Sequence, residues 1–166
     1  MQIEVFHLEE RDWVPNNGRL PVIVYRQAVD AGSCENIAAA FEGAFAHNGW
    51  PAQWRGGIYE YDRYHSTAHE VLGVASGSAQ LVIGGPGGRE IEVTAGDAVL
   101  LPAGTGHRCL AAAEEFLVVG GYPGGQKWDI CPDAPSDEAR ARMVTLAFPP
   151  CDPVWGTSGP LVDHWR

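Results

Sequence analysis

Gly57-Ile58-Tyr59-Glu60-Tyr61-Asp62-Arg63-Tyr64-His65-Ser66-Thr67-Ala68-His69-Glu70, followed by six residues and Gly77, is the first of two stretches that decide the fold. The second is Gly96-Asp97-Ala98-Val99-Leu100-Leu101-Pro102-Ala103-Gly104-Thr105-Gly106-His107. As spacings they read Gly57-x5-Arg63-x-His65-x4-Glu70-x6-Gly77 and Gly96-x5-Pro102-x-Gly104-x2-His107. Between them, Gln80-Leu81-Val82-Ile83 and Glu90-Ile91-Glu92-Val93 flank Gly84-Gly85-Pro86-Gly87-Gly88, which reads as a hairpin turn. No G-K-[ST] follows those glycines, so a phosphate-binding loop is a poor alternative. Thr94-Ala95-Gly96-Asp97 supplies a second turn ahead of Val99-Leu100-Leu101. Strands of this length and spacing predict a sandwich or barrel rather than alternating β and α units.

If residues 58–65 form a strand, Tyr59, Tyr61, Arg63 and His65 share one face, and Glu60, Asp62 and Tyr64 the other. The acids on the second face suit solvent, which makes the first the candidate interior. After a corner at 66–69, Glu70 begins a new strand with Leu72 and Val74 on its face. His107, Cys109 and Ala111 share a face if a strand continues past the Gly104-Thr105-Gly106 turn.

The paired spacing resembles the double motif of the cupin superfamily. It departs at Arg63, where the family usually has its first histidine, and at Ala111, where it usually has an asparagine. The resemblance implies an all-β fold: a cupin-type antiparallel β-barrel (a jelly roll, or double-stranded β-helix). It also implies one divalent metal ion (Fe, Mn, Ni or Zn), with His65, Glu70 and His107 at ligand positions. Two imidazoles and a carboxylate suit non-heme iron and, equally, a three-ligand zinc site with open positions. His69 is the second choice of ligand, turned from the Glu70 face unless the corner bulges. His69-Glu70-Val71-Leu72-Gly73 is not H-E-x-x-H, so a zinc-protease reading fails at Gly73.

Arg63 has two readings. It could pair with Glu70 and occupy that carboxylate, or it could receive a substrate carboxylate or phosphate bidentately. Arg63, Tyr59, Tyr61 and Cys109 are the substrate-binding candidates. The tyrosines could equally be core aromatics, and Cys109 a small apolar filler. The resemblance thus implies a metal-dependent enzyme, dioxygenase- or isomerase-like, acting on a small anionic molecule. The alternative is a non-catalytic, metal-free cupin that binds a small ligand through Arg63 and barrel-lining tyrosines.

The 166 residues are expected to form a single domain, with the motif-bearing barrel at about 50–125. The segment 1–49 reads as strand and helix, with apolar runs at Ile3, Val5 and Val22-Ile23-Val24-Tyr25. A helix is expected from an N-cap at Ser33 to His47, with Ile37, Phe41 and Phe45 on one face and Asn48-Gly49 as the stop. Ser136 is expected to cap a peripheral helix through about Met143 within an aromatic, proline-rich extension, 126–166, that packs back onto the barrel. Trp50, Pro51 and Trp54 read as packing at a domain edge.

A formal charge of -10, with eleven scattered Lys and Arg, argues against nucleic acid. No apolar stretch approaches membrane-spanning length, and Met1-Gln2-Ile3-Glu4 has neither a basic leader nor an apolar run. These features predict a cytoplasmic protein with no membrane partner. Four cysteines without a C-x-x-C pair are expected to be free thiols. Consecutive apolar residues such as Val71-Leu72 leave both strand faces to cover, which predicts a homodimer.

Overall fold

A computed structural model describes residues 2–166. Nine strands and three helices follow in the order β1 (Gln2–Phe6), β2 (Val22–Arg26), α1 (Ile37–His47), β3 (Ala52–Gly56), β4 (Glu70–Ser76) and β5 (Ser78–Ile83). Then come β6 (Arg89–Thr94), β7 (Ala98–Leu101), β8 (His107–Ala112), β9 (Leu117–Gly121), α2 (Asp137–Thr145) and α3 (Pro160–His164). One sheet has six strands in the order β1-β2-β7-β4-β9-β3, the other three in the order β6-β5-β8. Every ladder is antiparallel.

The two sheets face one another across an apolar core. Leu72, Val74, Val99, Leu101 and Val118 from the larger sheet meet Leu81, Ile83, Val93 and Cys109 from the smaller one. Alternation sends Val71, Ala75, Leu100 and Val119 to the opposite face. There they pack on Phe41 and Phe45 of α1 and on Leu161 and Trp165 of the extension. The outer face that suggested a homodimer is therefore covered within the chain. Gly73 permits this close approach, since a Cβ there would lie 2.5 Å from the Phe41 ring. Gly96 turns with φ +98, and a Cβ would meet the Val29 oxygen at 2.3 Å.

The expected closed barrel is where the architecture differs. Among the described residues the ladders form two sheets and do not join into a closed cylinder. The stretch expected as a strand, 58–65, supplies only isolated bridges, Arg63 to His107 and Tyr64 to Cys131. It follows β8 through two backbone bonds, Cys109 N–H to the Tyr59 oxygen and His107 N–H to the Arg63 oxygen. Residues 60–62 form a loop between those ties, so the two-residue alternation breaks.

The helix expected from Ser33 instead begins after Asn36, whose side chain accepts from Ala39 N–H at 3.0 Å. Ser33 is spent in the preceding turn, where its N–H donates to the Asp30 oxygen. Ser136 caps α2 as expected. All four cysteines are free. No helix among the described residues is long and apolar enough to cross a membrane.

Candidate functional site

His65 lies on the irregular segment after the Arg63 bridge, Glu70 opens β4, and His107 opens β8. All three are buried, and a candidate ligand atom from each lies within 4.8 Å of the others. The Glu70 carboxylate stands 3.2 Å from His65 Nε2 through one oxygen and 3.2 Å from His107 Nε2 through the other. Neither contact has hydrogen-bond geometry, and both Nε2 atoms and Glu70 Oε1 are left without a partner.

The far side of each imidazole explains why. His65 Nδ1 meets the Asp129 backbone oxygen, and His107 Nδ1 meets the Thr105 backbone oxygen at 3.0 Å. A carbonyl only accepts, so each Nδ1 carries the hydrogen, and each neutral ring turns an Nε2 lone pair inward. Two lone pairs and Glu70 Oε1 thus converge with no donor among them. Something positive must sit there, a proton on one imidazole or a metal ion. The residues fit the ion: a buried His-Glu-His group that could hold it, with both rings oriented from behind.

Burial alone would raise the Glu70 carboxyl, but His65 and His107 overrule it and hold it well below the usual carboxylate range. Burial and then the nearby Arg63 charge push His107 down to about 4. Burial also opposes charge on His65, yet Glu70 beside it raises that imidazole overall. Glu70 Oε2, the oxygen that faces His65, accepts from the Tyr122 hydroxyl at 2.5 Å, and Trp54 Nε1 donates to that hydroxyl at 2.7 Å.

A cavity of about 320 Å³ opens over His65 and Glu70. Arg63 lies in its wall at 6% exposure, with Nη1 donating to the His107 oxygen at 2.5 Å and Nε unpartnered. Of the two roles open to Arg63, pairing with Glu70 is not taken: among the described residues the ion pairs of Glu70 are with the two histidines. Tyr59 reaches the mouth, its ring 5.2 Å from the guanidinium carbon, but is 53% exposed. Tyr61, stacked on it, is 48% exposed and does not line the cavity. The expected inward tyrosine face is kept by Tyr59 only at the cavity mouth and is lost at Tyr61, because 60–62 form a loop. Cys109 packs in the core between the sheets rather than in the cavity wall.

Sequence reasoning missed Tyr122, Trp128 and Asp129, and it took Trp54 only for edge packing. Trp128 lies flat on Tyr122, centroids 4.4 Å apart at 6°, and Ile130 continues the wall. Nothing periodic marks Trp128 or Asp129 in the extension.

His69, the second-choice ligand, is not part of the group. Its Nδ1 accepts from Ala103 N–H at 2.9 Å and its Nε2 faces the Leu146 oxygen at 3.1 Å, between Phe148 and Trp165. Burial lowers its pKa to about 4, and protonating Nδ1 would also set a donor against the Ala103 N–H. An unfolded histidine takes its proton near pH 6.5, so below that the unfolded chain binds a proton the native state refuses. Stability contributed by neutral His69 is therefore expected to fall as pH drops from about 6.5 to about 4, by about 3 kcal/mol. Urea midpoints across this window check it against His69→Gln, whose amide can make both contacts and should show a shallower pH slope. Equal slopes would contradict the assignment.

The model of the Cupin domain family matches residues 54–119. The uncharacterized protein YjlB of Bacillus subtilis (strain 168) is 36% identical over 155 residues, spanning 92% of this chain and 90% of that one. The chain belongs to the cupin family. A crystal structure of a DUF861 family protein from Thermotoga maritima is 21% identical, covers 44% of this cupin and 77% of that chain, and superposes with a TM-score of 0.32. A likeness that loose carries no argument about the site. The matched span in this cupin holds His65, Glu70 and His107, but ends before Tyr122, Trp128 and Asp129.

Proposed function

We propose that this cupin is a divalent-metal-dependent enzyme, oxygenase- or isomerase-like, acting on a small anionic molecule in the cavity over His65 and Glu70. One observation carries the reading: three buried acceptor atoms, His65 Nε2, His107 Nε2 and Glu70 Oε1, converge without a donor beside an arginine whose Nε has no partner. Held by His65, Glu70 and His107, a divalent ion would supply Lewis acidity at open coordination positions. Arg63 would fix the anion of the substrate. Tyr122 holds the Glu70 carboxylate, and the rings of Trp54, Tyr122 and Trp128 restrict water.

Elemental analysis of protein purified without added metal tests it. About one Fe, Mn, Ni or Zn per chain supports the enzyme; a metal-free protein favours the second reading, a ligand-binding module. What favours the latter is the proton that His65 can hold beside Glu70.

Asp129 gives a further test of the metal assignment. Its carboxylate accepts from Ser66 N–H at 2.6 Å, from the Ser66 hydroxyl at 2.5 Å and from Cys131 Sγ at 3.2 Å. Those bonds hold the backbone oxygen that orients His65. Asp129→Ala keeps that oxygen but frees the segment that carries it, and is expected to weaken metal affinity by up to roughly tenfold, the low end of the cost of losing an outer partner. Competition with a chromogenic chelator measures it, and an unchanged affinity would remove Asp129 from the site.

A further inference from the structure

We infer that the ligand of this pocket is a flat aromatic monocarboxylate, an inference that rests on reading the cavity as an anion site. The anion end follows from Arg63. It is the one Lys or Arg in the cavity wall, and its Nη1 is already spent on the His107 oxygen. Nε has no partner among the described residues although the side chain is more than nine-tenths buried. A guanidinium meets a carboxylate through two parallel N–H groups, so this side chain matches one planar anion. The wall offers no second cation for a phosphate dianion, and the chain as a whole carries -10.

The body of the ligand follows from the rings. Trp54, Tyr59, Tyr122 and Trp128 line the wall, with Ile130 beside them. Trp128 lies nearly parallel to Tyr122, and its 36% exposure leaves surface for a third ring to extend the stack. Trp54 and Tyr122 are tied to each other and to Glu70 by hydrogen bonds, so these walls are preformed. At about 320 Å³ the space is at the small end of the range of roughly 300–1,000 Å³ for small-molecule sites. One ring with one carboxylate suits it better than an extended chain or a nucleotide.

The test is calorimetric titration of the full chain, as purified and after chelator dialysis, with benzoate, cyclohexanecarboxylate, benzyl alcohol and inorganic phosphate. Benzoate is expected to bind roughly three- to tenfold tighter than cyclohexanecarboxylate, the scale of an aromatic pair. It should exceed benzyl alcohol by at least about tenfold, the scale of a charge-assisted hydrogen bond. Trp128→Leu should abolish the first preference and keep the second; Arg63→Gln should do the reverse.

Equal binding of the two carboxylates, tighter binding of phosphate, or no benzoate binding at millimolar concentration would overturn the inference. The wild-type ligand series decides even if the Arg63 variant does not fold. Metal content, measured on the same samples, separates the two readings. A metal-free protein with the benzoate preferences keeps this inference and loses the metal, and a metal-loaded one without them does the opposite.

Discussion

Replacing His107 with alanine is expected to abolish stoichiometric metal binding and leave the chain folded. His107 supplies one of the three inward ligand atoms that the described residues bring together, and alanine offers none. The loss should exceed the roughly 10–100-fold that follows removal of an outer partner. Glu70→Gln should weaken binding less completely, because the amide keeps an oxygen but brings no charge. Arg63 gives the complementary result. Arg63→Ala should retain the metal or tighten it, since a fixed cation near the site has gone. Arg63→His would place a third imidazole at the position where cupins usually have one, and should tighten it further.

The competing reading expects something else. In a metal-free binding module Arg63 offsets the Glu70 charge, whose influence on it is attractive. Its removal would then cost on the order of a few kcal/mol by leaving a buried carboxylate less compensated. Metal content and melting temperature of wild type, His107→Ala, Arg63→Ala and Arg63→His, measured side by side, separate the two. A metal-free wild type that melts far lower after Arg63→Ala would overturn the enzyme in favour of the module.

The second large effect lies away from the cavity. Asp152 is fully buried, and its carboxylate accepts four hydrogen bonds. Val154 N–H and Trp155 N–H reach one oxygen at 2.8 and 3.0 Å, and the Tyr25 hydroxyl and Leu161 N–H reach the other at 2.7 and 3.0 Å. These bonds fasten the end of the extension to β2 and seat Leu161 and Trp165 in the outer core. Asp152→Ala strands all four donors, and a loss of about 3–5 kcal/mol is expected. For a chain of this size that is roughly 10 °C or more in melting temperature. Tyr25→Phe removes one bond and should cost about 1 kcal/mol. Asp152→Asn should fall between, because its amide keeps an acceptor for one pair but presents a donor towards Leu161 N–H. Thermal and urea unfolding of the three variants give the ranking; an Asp152→Ala protein within about 1 kcal/mol of wild type would refute it.

Much of this fold is legible in local patterns. The glycine clusters marked the turns, and alternation placed Leu72 and Val74 on the face that they share in the structure. The two spacings located His65, Glu70 and His107, which the structure brings together. Alternation failed at 58–65 because it presumes a continuous ladder, and that segment is tied to β8 at only two residues. Tyr59 and Tyr61 therefore sit at the surface, although Arg63 and His65 point inward.

Likeness to the cupin spacing picked out His65, Glu70 and His107; what the sequence by itself determined, then, is most of the strands and the turns between them. These follow from forces acting over a few residues: backbone sterics at glycine and the period of two along a strand. What only the tertiary structure decided is the state of the site. The inward lone pairs depend on carbonyls of Asp129 and Thr105, the Glu70 oxygen on Tyr122, and the cavity wall on Trp54 and Trp128. Most of these partners lie some fifty residues or more from the groups they serve. Hydrogen bonds and ring contacts across such separations have no period along the chain, and only the packed fold brings their two ends within reach.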